Sequence, residues 1–266
     1  MSYEAEATAA SYLVSAFAGL TKKLIPDLLA QQNHPEVLLS LRVMRTSESV
    51  LRILLRGAPV GKAPHPQADL ASAASLARMV IETTIVFFFL CADPVLPDER
   101  QFRRLASKLH YGTEMLKLQR DFGMQIDPTR EQEVKDLRKQ LTEHPVARQL
   151  LPDERSRAIA GNDVIYVRRT TLAQRMGLSA KRLDAIYRVF SGYAHSNTLS
   201  LHMDLTRYTE ARALELEAPS VLFHFNTFLA KHGLYLLDLF HERDLERPPD
   251  YEAFATMIAQ RPWGDP

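Results

Sequence analysis

Leu183-Asp184-Ala185-Ile186-Tyr187-Arg188-Val189-Phe190-Ser191-Gly192-Tyr193-Ala194-His195-Ser196-Asn197 is the stretch around which the rest of this chain is organised. At about 100° per residue, positions i, i+4, i+7 and i+11 of a helix fall on one narrow stripe. Asp184, Arg188, Ser191 and His195 take those positions, and His202 extends the line if the helix continues. Leu183, Ile186, Val189, Phe190 and Tyr193 gather on the other side, the core-facing stripe of an amphipathic helix. Tyr187 stands at the border, while Gly192 and Ser196 lie near the polar stripe. A glycine inside a helix costs about 1 kcal/mol relative to alanine, so it marks the close approach of another backbone or a ligand. Serine, glycine, alanine and histidine are a poor set for a face that merely meets water, where Lys, Glu and Gln are the favoured helix formers. The stripe is therefore either a solvated face or a cleft or helix seam lined by Arg188, Ser191 and His195.

The helical period recurs on both sides. Tyr3 to about Gln32 is helical in pattern, with Pro26 as a break or kink. Asn33 and Pro35 form a cap and first-turn proline for a helix that ends at Gly57. Residues 57–68, rich in proline and glycine, form a loop. Asp69 to Ala92 is the most buried helix, because Ile85-Val86-Phe87-Phe88-Phe89-Leu90 is apolar all round. Pro94 stops it. Pro97-Asp98-Glu99 starts the next, with acidic residues where the macrodipole favours them, and it runs to Gly123. Its Arg103, Arg104, Lys108 and Lys117 are expected on a solvated basic surface.

Asp127-Pro128 opens a polar helix to about His144, and Leu150 to Ala160 forms a short one; the whole of 127–160 is expected at the periphery. Gly161-Asn162-Asp163 is a turn, and Val164-Ile165-Tyr166-Val167 a short extended piece. Ser220 to Asp244 is a long apolar-rich helix with His224, His232 and His241, and Tyr251 to Gln260 a short terminal helix whose end Trp263 packs. The fold class is all-α, a bundle of about seven to nine helices with little or no sheet. One domain is expected over 1–266, with its core at about 35–242.

Composition bounds the function classes. Over 266 residues, 46 % are hydrophobic and 24 % charged, as in ordinary globular proteins. A net charge of +1 carries no global nucleic-acid signature, although a local patch stays open. The lone Cys91, beside the phenylalanine run, excludes a disulfide framework and is expected buried and reduced. Met1 to Ala10 holds two glutamates and no basic region, unlike a signal peptide. Ile85 to Ala92 is too short to cross a bilayer, and Arg78 and Glu82 interrupt its upstream extension. A cytoplasmic protein without membrane contact is expected.

Arg78 and Glu82 stand one turn apart and either pair structurally or reach the Arg188/His195 stripe, since a desolvated lone ion costs several kcal/mol. Thr171 to Ile186 resembles a helix-turn-helix: Ala173 allows close packing, Gly177 permits the turn, and Leu183 and Ile186 pack the second helix inward. Lys181 and Arg182 stand where a recognition helix meets DNA, though the same spacing fits any tight corner between two helices. Asp238-Leu239-Phe240-His241 gives carboxylate-x-x-His spacing once, whereas a di-iron bundle needs it on two helices. His110 and Glu114 share a face without a third ligand on their element. No metal and no cofactor are expected. The chain has no Gly-rich phosphate loop, HExxH or GxSxG. Ser191 and His195 lack a readable oxyanion hole and orienting acid.

Arg78 and Glu82 ahead of an apolar helix closed by Ala92-Asp93-Pro94, a following basic helix, and then Tyr187-x3-Ser191-x3-His195 together resemble a widespread bacterial all-helical family known as a domain of unknown function. The resemblance covers about Val43 to His202 and implies a helical bundle with a shared polar site; Arg78, Glu82, Tyr187, Arg188, Ser191 and His195 are expected to converge on one polar cavity. More loosely, Arg188 with His195 seven residues on resembles the Arg-x4–6-His signature of HEPN helical domains. That likeness implies a metal-independent ribonuclease whose site forms at a homodimer interface, with RNA as partner. His195 would be general acid or base near its ordinary pKa of about 6.5, and Arg188 would hold the phosphate. An RNA-cleaving or RNA-binding role in phage defence or a toxin system follows from the resemblance. The alternatives are a DNA-binding regulator using 171–186, or a structural or interaction protein whose polar stripe fixes helix register.

Overall fold

The computed structural model describes residues 2–29, 35–56, 70–194, 211–241, 252 and 255–257. The expected loop at 57–68, the Asn33 cap, His195, His202 and most of the expected terminal helix with Trp263 lie outside these residues. In chain order the helices are α1 (Tyr3–Leu29), α2 (Pro35–Arg56), α3 (Leu70–Phe87), α4 (Pro97–Asp121) and α5 (Pro128–Glu143). Then come α6 (Pro152–Ala160), α7 (Arg169–Arg175), α8 (Ala180–Ala194) and α9 (Ala211–His241). No strand occurs among the described residues. The fold is all-α, as the periodicity requires. A proline opens α2, α4, α5 and α6, where its missing N–H is one of the unbonded donors anyway and its fixed φ suits the first turn. Helix α1 runs through Pro26 to Leu29.

The chain divides into two compact units, Met1–Phe88 with Gly177–Pro266, and Phe89–Met176. In the first, α2 packs on α1 and α3, α9 on α1 and α3, and α8 on α3. Ala7, Ala10, Leu13, Phe17 and Leu20 of α1 are buried at three- and four-residue spacing, so the core begins well before residue 35. The His232 imidazole of α9 lies inside it, with Nε2 3.1 Å from Ser40 Oγ of α2 and Nδ1 3.3 Å from Thr84 Oγ1 of α3. The Phe87 ring lies 4.3 Å away by centroids, and Phe17 of α1 meets the imidazole edge-on at 5.3 Å. Asn226 Nδ2 donates to the backbone oxygen of Glu6 at 2.9 Å and to its Oε2 at 2.8 Å, both residues being buried. Polar contacts of this kind fix helix register as well as stability, because an unpaired buried partner is costly. The span Leu70–Ala92 is long and apolar enough to cross a membrane, yet 67 % of its apolar 18-residue window is buried within the protein, as expected of a core helix.

In the second unit, α4 packs on α5 and α6. A Cβ at Gly112 of α4 would stand 2.7 Å from Val134 Cγ2 of α5, so the two backbones approach closely there. Helix α5 buries only Val134 and Leu141, seven residues apart on one face. Residues 164–167 are not the extended strand expected: they have no partner strand and run irregularly, with Tyr166 and Val167 buried. Tyr166 is a core plug, its ring edge-on to Phe89 at 5.3 Å and Phe102 at 5.5 Å. Burial raises its hydroxyl above the ordinary tyrosine range, against the opposing charge of Arg103.

Of the three glycines that follow helix ends at positive φ, Gly123 and Gly161 separate strain from crowding. Gly123 (φ 62°) faces open space, whereas a Cβ on Gly161 (φ 71°) would meet Thr113 Oγ1 at 2.8 Å and Leu109 Cγ at 2.9 Å. Gly123→Ala should cost about 1 kcal/mol, the left-handed penalty alone. Gly161→Ala should cost distinctly more, because the buried Leu109 has to move as well. Urea unfolding of the two variants side by side measures the gap; equal losses would mean that the crowding at Gly161 is relieved freely.

Candidate functional site

Helix α8 sorts its side chains as an amphipathic helix should. Leu183, Ile186, Phe190 and Tyr193 are buried, while Lys181, Arg182, Asp184 and Arg188 are exposed. Val189, expected inward, is 40 % exposed. It sits at the edge of the apolar stripe, where a small rotation of the helix turns a side chain out to water. Gly192 is buried and Ser191 half-buried.

Because α8 lies along α3, residues far apart in sequence meet. Arg78 Nε of α3 is 2.8 Å from Glu82 Oε1 one turn on. The Arg78 guanidinium carbon stands 5.8 Å from the ring centroid of Tyr187 on α8, within the range of cation–π attraction. Arg78, Glu82 and Tyr187 are thus brought together. The pair is partly exposed, with 23 % and 40 % of the two side chains accessible, so its worth lies in placing groups rather than in stability. Arg188 forms no ion pair with a described residue, and His195 lies just past the described end of α8. Of the other pairs weighed for metal binding, His110 Nδ1 is 3.1 Å from the Gly161 carbonyl. Glu114 takes Lys117 Nζ at 2.7 Å, and that hydrogen bond holds its carboxyl below the usual range against a small burial effect.

A second charged cluster, in the Phe89–Met176 unit, was not legible in the sequence. Arg103, expected on a solvated surface, is completely buried. Its Nη1 is 2.7 Å from Asp93 Oδ2 and donates to the Phe89 carbonyl at 2.6 Å, while Nε and Nη2 reach Glu99 Oε1 at 3.1 and 2.5 Å. Arg175 of α7 shares Asp93 Oδ2 at 2.9 Å, and Arg100 Nη1 donates to the Cys91 carbonyl. The cause is backbone geometry. Beyond α3 the chain winds as a π-turn over Phe88–Ala92, which leaves carbonyls at a helix end without helical donors. Arginines one turn apart on α4 supply those donors. The cluster borders an open depression of about 510 Å3 lined by Asp93, Pro94, Val95, Leu96, Glu99 and Arg175. Two guanidinium groups converge on Asp93 Oδ2 and Arg103 also takes Glu99 Oε1, so among the described residues the charges of this network compensate one another. The i, i+4 spacing of Glu99 and Arg103 was the available signal.

These features define an all-helical protein with a charged α3/α8 face. The chain belongs to the family of unknown function DUF5677, whose model matches residues 34–211. No curated protein matches the chain, and no solved structure does.

Proposed function

We propose that the protein binds RNA and cleaves it without a metal ion at the outward side of α8. Arg188 holds the phosphate and His195 moves the proton. The observation that carries this is the state of Arg188: exposed on α8 and outside any ion pair with a described residue, whereas Arg78 nearby is taken up by Glu82. A guanidinium presents planar, paired donors that match a phosphate oxyanion. The Arg188-x6-His195 spacing, which resembles the HEPN signature, supports a proton-transfer partner seven residues on. In the reaction, His195 takes the proton of a ribose 2′-hydroxyl as that oxygen attacks phosphorus. The bond from phosphorus to the 5′-oxygen breaks, leaving a 2′,3′-cyclic phosphate and a 5′-hydroxyl protonated from solvent. Arg188 stabilises the charge that builds on the phosphorane oxygens. Arg188→Ala and His195→Ala should each lower cleavage of a test RNA, or growth toxicity on expression, by about 10²–10⁴-fold. Unchanged activity in both variants removes the proposal.

A DNA-binding role is the second reading, favoured by the exposure of Lys181 and Arg182 at the first turn of α8 and by Gly177 at φ 68° in the turn before it. Its mark would be a salt-dependent shift of duplex DNA that weakens when both residues are neutralised.

A further inference from the structure

Helix α4 is apolar on two opposite sides. One side packs its own unit through Phe102, Ala106, Leu109 and Leu116, all buried. The other carries Tyr111 (62 % exposed), Met115, Leu118 (47 %) and Phe122 (76 %), with Met124 (59 %) just after the helix end. Spacings of four, three and four residues put the first four within about 60° of arc. That is the d-a-d-a order of a coiled-coil seam. Charged Arg104 and Lys108 occupy the preceding d and a positions, so the seam is short and bounded. Arg130 stands over the Tyr111 ring at 6.0 Å and holds it in place at the surface.

We infer that this face of α4 is a self-association surface, on which a second copy of the chain packs antiparallel. The four-three-four spacing reads the same in both directions. A two-fold axis at the middle of the stripe therefore sets Tyr111 of one copy against Phe122 of the other, and Met115 against Leu118. The isologous contact of a two-fold dimer requires this self-complementarity; a seam meant for an unrelated helix does not. At the ends, Lys108 of one copy falls within one turn of Asp121 of the other, which places opposite charges at the rim. The exposed side chains amount to about 500 Å2 per copy and so about 1,000 Å2 in a dimer, the lower bound for a specific interface. Association in the micromolar range follows from that size.

Sedimentation of the full chain from about 1 to 100 micromolar should show a concentration-dependent dimer, the range a small interface supports. Leu118→Glu should abolish it with helix content by circular dichroism unchanged, because the side chain already faces water. Register is tested by Tyr111→Cys and Phe122→Cys proteins, in which the native Cys91 is buried. Oxidised as a mixture they should form a covalent dimer; oxidised singly they should not. Cross-linking of either variant alone, a dimer that survives Leu118→Glu, or a monomer throughout would overturn the inference. In the last case, binding of an added amphipathic helix from another protein would reassign the seam.

Discussion

Arg103→Met is expected to destabilise the Phe89–Met176 unit by about 3–5 kcal/mol, the cost of removing one partner from a buried ion pair. Arginine 103 has no accessible side-chain surface and Asp93 keeps 3 %, so the carboxylate is left with the half-exposed Arg175 alone and cannot make up the loss with water. Two more acceptors lose their donors in the same step, Glu99 Oε1 and the Phe89 carbonyl. The guanidinium also stacks on the Phe89 ring at 4.3 Å, a contact that methionine replaces only in part. Arg175→Met provides the control. That side chain shares Asp93 but is 40 % exposed, so its loss should cost about 1 kcal/mol or less. Hydrogen exchange of the α4 amides reads the unit by itself, apart from the rest of the chain. If Arg103→Met lowers protection no more than Arg175→Met does, the buried network is not what holds the π-turn against α4. Adding Asp93→Asn to Arg103→Met should recover part of the loss, since the buried charge that Arg175 alone then compensates goes with it.

Arg103 also shows where sequence reasoning stops. Periodicity and first-turn prolines were enough for the fold class, because both are local: a 3.6-residue repeat and a fixed φ act within one element. Arginine is almost never fully buried unless paired, and its partners here include a carboxylate ten residues earlier and the Phe89 carbonyl, released by a π-turn that no residue pattern announces. Val164 to Val167 misled in the opposite way. Its β-branched and aromatic residues favour a strand, but a strand needs a neighbour, and the segment fills a helical core instead. On α4 the exposed stripe was masked by the interleaved Lys and Arg, which drew attention to charge rather than to the second apolar face. At the candidate site the local pair Arg78 and Glu82 was legible as i, i+4. The approach of Tyr187 depends on how α8 lies along α3, and that is a tertiary fact.

Acid should unfold the first unit through one imidazole. Burial lowers His232 from the ordinary histidine value of 6.5 to about 3, so the folded state binds a proton there far more weakly than the unfolded chain. Stability is therefore complete above about pH 6.5. It falls by about 1.4 kcal/mol for each unit as pH drops toward 3, close to 5 kcal/mol in all. Both ring nitrogens are already engaged, by Ser40 and Thr84. The two ring contacts, Phe17 and Phe87, offer a proton no counter-charge. Carboxylates elsewhere also titrate in this range, and His232→Gln isolates the histidine from them, since glutamine keeps a donor and an acceptor but does not titrate. Wild type is expected to be the more stable protein at pH 7, with its advantage shrinking by about 3 kcal/mol by pH 4. Urea midpoints at the two pH values measure this, and parallel losses in the two proteins would show that the folded state does not hold the His232 imidazole below its ordinary value. The same imidazole joins α2, α3 and α9 at one point, so its protonation should loosen the α3/α8 face together with the core.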